Sequence, residues 1–249
     1  MTLLLFHADS YATEFDAKVE AVRPDGGIML DRTLFYCTSG GQPHDVGELA
    51  RKSDGAKVEI KDVRKLDGQA VHIPAAPAPA AGTASSPSPS FAVGDSVHGK
   101  IDWTRRHRLM RMHTAGHCLG AVFYSKGILI TGNQLGVEQS RFDFSMENFD
   151  RALLEACIAE ANEKLSQNRP IRVSFMPREE ALKLPGMVKL ANALPPDIQT
   201  LRIVEIEGID TQADGGTHVK NTSEVGQIEL LKLENKGSVN RRIYFALKP

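Results

Sequence analysis

Leu109-Met-Arg-Met-His113-Thr-Ala-Gly-His117-Cys-Leu-Gly-Ala-Val-Phe123 is apolar nearly all round over a helical length, the pattern of a buried helix. Within it, His113 and His117 stand four residues apart and so share one helix face, both imidazoles entering the same space. Gly116 and Gly120 follow on that stripe and are expected to leave room beside the rings. A helical His-x-x-x-His pair is a common zinc half-site. The metalloprotease version places Glu after the first His, however, and Thr114 stands here, which disfavours a protease.

Upstream of this helix the chain reads as β-structure. Phe15 to Val22 alternates up to a turn at Pro24-Asp25-Gly26-Gly27, and an apolar run begins at Ile28. Val58 to Leu66 meets Asp67-Gly68 and resumes at Gln69 to Ile73, a hairpin signal. Pro74 to Ser90 is almost all Ala, Pro, Ser, Gly and Thr, too poor in apolar mass to offset its ordering entropy, and reads as a flexible insertion. Phe91 to Asp102 returns to strand character. Downstream, Arg141 to Phe144 reads as a strand. Asp150 to Gln167 reads as an amphipathic helix capped by Asn148 or Asp150. Ile171–Met176, Leu201–Glu207, Gly226–Leu233 and Arg241–Leu247 read as further strands. The expected fold is α+β. A small N-terminal β-barrel-like domain (1–103, with the insertion at 74–90) is followed by a domain of two long helices packed on an antiparallel sheet (104–249).

Composition narrows the class of protein. The 249 residues carry Lys+Arg 30 against Asp+Glu 31, so nucleic-acid contact must come from local basic patches, not from an overall field. Arg105-Arg-His-Arg-Leu-Met-Arg111 is one such patch, with Arg105, Arg106 and Arg108 as candidate phosphate contacts. Cations at a helix N-terminus oppose its dipole, so a solvated start with acidic partners nearby is the competing reading. Three scattered cysteines, Cys37, Cys118 and Cys157, argue against a disulfide framework and for a reducing, cytoplasmic setting. Leu3 to Phe6 is too short for a signal-peptide core, and no run approaches the roughly 18 apolar residues of a membrane span.

A second half-site lies about a hundred residues beyond the first, in Gln212-Ala-Asp-Gly-Gly-Thr-His-Val219. Asp214 and His218 repeat the four-residue separation across a Gly-Gly. The two half-sites together offer the nitrogen and oxygen donors that zinc accepts.

The chain resembles the alanyl-tRNA editing proteins, free-standing relatives of the editing domain of alanyl-tRNA synthetase. Three segments carry the likeness: Leu34-Phe-Tyr-Cys-Thr-Ser-Gly-Gly-Gln-Pro-His-Asp-Val-Gly47, the helix Arg108 to Leu119, and Gly215-Gly-Thr-His-Val-Lys-Asn-Thr-Ser-Glu-Val-Gly226; Arg241-Arg-Ile also fits. The resemblance implies hydrolysis of mischarged Ser-tRNA(Ala), and of Gly-tRNA(Ala), by a protein acting in trans. It implies Zn2+ held by His113, His117, His218 and the residue at 214. It also implies Gln42 and Thr217 as catalytic groups, with Gly40, Gly41 and Gln42 lining the substrate pocket. The family usually carries Cys before Gly-Gly-Thr-His, and this chain carries Asp214. A carboxylate is a zinc ligand of similar reach that donates less charge than a thiolate. Cys118 is no substitute, being turned about 100° away from His117 on the helix. Two other readings stay open: a metal-free tRNA-binding or regulatory protein, and a zinc hydrolase of another aminoacyl ester.

Overall fold

The computed structural model describes residues 1–75, 90–184, 187, 198–237 and 239–248, so most of the Ala/Pro/Ser insertion lies outside the described residues. Two compact units divide the chain. The first is Met1–Ser39 with Pro43–Arg106, and the second is Gly40–Gln42 with His107–Pro249.

The first unit contains β1 (Leu3–Leu4), β2 (Glu14–Val22), β3 (Ile28–Leu30), β4 (Arg32–Thr33), β5 (Gly47–Arg51), β6 (Lys57–Leu66), β7 (Gln69–Pro74) and β8 (Ser96–Ile101). Strands β2-β3-β7-β6-β5-β8 close into a barrel, while β1 pairs with β4 outside it. Alternation builds the interior: Phe15, Ala17 and Val19 on β2 are buried between exposed neighbours, and Val58 and Ile60 do the same on β6. Asp67 and Gly68 both take positive φ, the two-residue turn that the sequence predicts.

Arg106 has no exposed surface. Its Nε donates to both carboxylate oxygens of Asp45 at 3.1 and 3.0 Å, a further Arg106–Asp45 contact is shorter still, and the remaining nitrogens donate to the carbonyls of Ser10 and Leu34. The expected phosphate contact at Arg106 is therefore corrected: its donors are consumed inside the first unit, cross-linking three loops.

The second unit holds most of α1 (Trp103–Ser125), then β9 (Leu129–Gln134), β10 (Ser140–Ser145), α2 (Arg151–Leu165), β11 (Ile171–Pro177), a single turn α3 (Arg178–Ala181), β12 (Thr200–Ile206), β13 (Asp210–Ala213), β14 (Gln227–Asn235) and β15 (Asn240–Lys248). Among the described residues these strands form two antiparallel sheets, β14-β15-β10-β9 and β11-β12-β13. Asp150 caps α2 by accepting from Leu153 N, and Asn162 docks that helix by bonding both the N–H and the carbonyl of Ile228 on β14. Leu109, Met110, Met112, Ala115, Cys118, Leu119, Val122 and Phe123 of α1 are all buried. Gly116 and Gly120 do not leave ligand space. An added Cβ would lie 2.9 Å from Phe142 and 3.1 Å from Ile130, so these glycines let the helix approach the sheet. No helix among the described residues is long and apolar enough to cross a membrane.

Register sorts the side chains of the three-stranded sheet onto its two faces. Val204 faces Gln212 and Ile206 faces Asp210 across β12 and β13, so these four, with Arg202, share one face. Leu201 and Ile203 point to the other and pack with Ala181 and Met187.

Candidate functional site

All four predicted metal ligands meet in the second unit. One donor atom each from His113, His117, Asp214 and His218 lies within 4.8 Å of the others, and among the described residues this is the group that could hold a metal ion. The imidazoles are buried, with ring centroids 4.4 to 5.0 Å apart. Helix α1 supplies the first pair on one face. The Asp214 side chain accepts from Gly216 N at 2.6 Å, which turns the loop so that His218 returns beside it. A Cβ at Gly216 would overlap the His113 ring and sit 2.9 Å from Gln42 Oε1, so only glycine lets this loop pass so close.

Each ring is held through its far nitrogen. His113 Nδ1 lies 2.9 Å from Gln42 Oε1, His117 Nδ1 lies 3.0 Å from Asp210 Oδ2, and His218 Nδ1 lies 3.1 Å from Thr114 Oγ1. The Nε2 atoms turn towards Asp214 instead: 3.5 Å from His113, 3.8 Å from His117 and 3.1 Å from His218. The Gln42 orientation is unambiguous. Thr217 N–H can only donate, and it does so to Gln42 Oε1 at 3.1 Å, while Gln42 Nε2 donates to Thr217 Oγ1 at 2.9 Å. The His113 proton therefore sits on Nδ1, and its Nε2 lone pair faces a carboxylate oxygen. Two electron-rich groups arranged in this way suit a shared cation, and nitrogen and oxygen donors suit zinc.

Electrostatics separate the three rings. Burial drives the His113 pKa well below its usual value, against the pull of Asp214. Burial, reinforced by His117, lowers His218 to about 4. At His117 burial is outweighed by Asp210 and Asp214, and the pKa rises to about 9. Asp214 is half-buried, which favours its neutral form, yet the surrounding histidines hold it well below the usual carboxylate range.

The sequence of the whole chain has close counterparts. The alanyl-tRNA editing protein AlaX-M of Methanosarcina barkeri is 45% identical over 249 residues, covering 99% of both chains. That of Saccharolobus solfataricus is 44% identical over 252 residues, covering both completely. The chain belongs to the alanyl-tRNA editing proteins. An alanine–tRNA ligase of Methanococcus maripaludis is 36% identical over 237 residues, which is 94% of this chain and 24% of the ligase. The family model of the threonyl and alanyl tRNA synthetase second additional domain matches residues 201–244, and that of class II (A) tRNA synthetases matches 6–105.

Among the remaining expected residues of this editing protein, Gln42 and Thr217 lie fully buried beside the cluster, not at an exposed turn. Gly40 and Gly41 both take positive φ, and a Cβ on Gly41 would overlap Asn133, whose side chain donates to the Gly40 carbonyl at 3.1 Å. Arg105 is half-buried and donates to the His44 carbonyl at 3.0 Å. Arg108 is exposed and pairs with Glu138 at 2.5 Å. The acidic partners anticipated for the basic helix start are thus Asp45, Glu138 and Asp102, which accepts from Arg105 N. Cys37, Cys118 and Cys157 are free and buried, burial pushes the Cys118 thiol up to about 12, and none of the three belongs to the cluster that could hold a metal.

Sequence reasoning missed Thr114, Arg202, Asp210 and Gln212. Arg202 Nη1 donates to the carbonyls of Asp214 and Gly216 at 3.0 and 2.9 Å, tying down the loop. A signal did exist: Asp210-x-Gln212-x-Asp214 has the period-two spacing that puts three polar groups on one side of a strand.

Proposed function

We propose that this editing protein is a trans-acting aminoacyl-tRNA hydrolase that deacylates mischarged Ser-tRNA(Ala), and Gly-tRNA(Ala), with zinc held by His113, His117, Asp214 and His218. The observation that carries the reading is the convergence of three Nε2 atoms on one carboxylate, beside the buried Gln42–Thr217 pair. Bound there, zinc supplies Lewis-acid polarisation or substrate positioning next to an ester that is already activated.

The chain's own residues do the remaining work. Gln42 gives its Oε1 to His113 and Thr217 N, so it orients both the metal-facing ring and the loop that bears Thr217. Thr217 Oγ1 accepts from Gln42 and keeps its own proton to donate to a substrate oxygen. A pocket built around such donors favours seryl over alanyl esters, because the missing hydroxyl leaves buried polar groups unpaired. Gly40 and Gly41 admit the substrate backbone closely. Arg105 and Arg108, on one helix, contact tRNA phosphates; an exposed ion pair such as Arg108–Glu138 is weak enough to exchange for one. The site of action is the cytoplasm, where charged tRNA is used.

The test is deacylation of Ser-tRNA(Ala), Gly-tRNA(Ala) and Ala-tRNA(Ala) before and after chelation. Seryl release that stops on chelation and returns with zinc is the expected result. Release that survives complete metal removal retires the zinc assignment. An intact, zinc-supplied protein that releases none of the three retires the hydrolase.

A further inference from the structure

We propose that Asp210 is a positioning residue for the metal centre, holding His117 through its Nδ1 and adding a second negative charge behind the ligand set. The proposal rests on zinc occupying the four-residue cluster.

Asp210 begins β13, with its side chain fully buried and Oδ2 3.0 Å from His117 Nδ1. A carboxylate only accepts, so His117 keeps a proton on Nδ1 and presents Nε2, the metal-facing nitrogen, to Asp214. Gln212, two residues on and on the same sheet face, donates its amide to the same Oδ2 at 3.0 Å and lies 2.9 Å from His117 Nδ1, so it packs against both the carboxylate and the ring it faces. The other two far-side partners, Gln42 Oε1 and Thr114 Oγ1, are neutral. Gln212, also beside His117 Nδ1, is neutral too, so among these far-side partners Asp210 alone brings charge.

The local charge count explains why that matters. Three neutral imidazoles and Asp214 present a dication with one negative charge. The guanidinium of Arg202 lies 4.0 Å from Asp214 Oδ2 and competes for it. Asp210 raises the count to two without using a coordination position, and it does so by making His117 a stronger donor. A centre whose fourth ligand is a carboxylate instead of a more strongly donating thiolate gains most from such support.

The experiment measures zinc affinity by competition with a chromophoric chelator, without tRNA, on the full chain. Asp210→Asn keeps the size and an acceptor but removes the charge, and should weaken zinc about 10- to 100-fold. The His117 Nδ1 proton resonance of the zinc-loaded protein should move upfield. Asp210→Glu keeps the charge and should bind zinc better than Asp210→Asn; a role in packing alone predicts the reverse order, since Asn is the closer fit. Should Asp210→Asn fail to fold, Gln212→Ala reads the same dependence by removing the amide that packs against the carboxylate and the ring. Parental zinc affinity in these variants, or the reversed order, overturns the proposal. Because no activity is read, a protein that binds zinc as described but hydrolyses no charged tRNA leaves this inference standing while the hydrolase reading falls.

Discussion

Buried histidines occur in both units, and the contrast between them separates structure from function. In the barrel, His72 donates from Nδ1 to the Ile28 carbonyl at 3.0 Å and accepts at Nε2 from the Thr33 hydroxyl at 2.8 Å, so both nitrogens are consumed by neutral neighbours. In the second unit, His113, His117 and His218 each spend one nitrogen on a neighbour and turn the other towards Asp214. Burial alone does not mark a ligand. What marks one is an imidazole satisfied on one side and aimed, with others, at a common point on the other.

The sharpest way to break this contrast is to exchange the roles experimentally. His113→Ala should weaken zinc by more than about 100-fold, beyond what a merely supporting residue costs, and abolish metal-dependent deacylation. His72→Gln should leave zinc affinity at the parental value, because a glutamine can serve both Ile28 and Thr33. Its effect should appear in stability against pH. Burial lowers His72 to about 4, so between the unfolded value near 6.5 and 4 the unfolded chain takes up a proton that the folded one excludes. The resulting stabilisation, about 3 kcal/mol, is present above pH 6.5 and is lost as pH falls through 4. Urea denaturation between pH 7.5 and 4 should therefore fall less steeply for His72→Gln. An unchanged slope, or a loss of zinc, would erase the distinction between the two kinds of histidine.

A smaller effect sharpens the contrast at position 214, where the resemblance implies Cys and this chain carries Asp. Asp214→Ala should cost about 100-fold in zinc affinity, the upper limit of what an outer-shell partner costs, and lower deacylation with it, excess zinc restoring part of the activity. Asp214→Cys should bind zinc more tightly than the parent, since a thiolate donates more charge. Parental zinc content in Asp214→Ala would remove Asp214 from the ligand set and leave three histidines as the centre. The smallest effect is expected on the helix surface. Arg105→Ala with Arg108→Ala should raise KM for seryl-tRNA a few-fold and reduce the salt slope by about one for each phosphate no longer neutralised. Cleavage of a seryl-adenosine ester should not change. Equal losses on both substrates would make these arginines structural.

Much of the fold is legible in the chain's local patterns. Helix α1, its His-x-x-x-His pair, the Asp67-Gly68 turn and the Asp150 cap of α2 are set by local periodicity and turn chemistry, which reside in consecutive residues. Asp214 and His218 can be named as partners of α1 because their four-residue spacing repeats the first. Strands β5, β9 and β13 carry no comparable signal. Leu129-Ile-Thr-Gly-Asn-Gln134 and Asp210-Thr-Gln-Ala213 are short and half polar, and they become strands through the neighbours that pair with them.

The sequence by itself determined which residues could bind a metal and that an α+β chain would present them. Helical and strand periods, and the donor chemistry of His and Asp, act at short range and leave their trace in spacing. Only the tertiary structure decided which polar groups were spent and which were left to act. Arg106 reads like its neighbours in the basic run, yet it is locked onto Asp45, 61 positions away. Gln42 reads as a turn residue, yet it is buried against His113 and Thr217. Asp210 lies in a short, half-polar stretch, yet it stands behind His117, 93 positions distant. A buried polar group must find its partner wherever the fold brings one, and a pairing across that much chain is written in no local pattern.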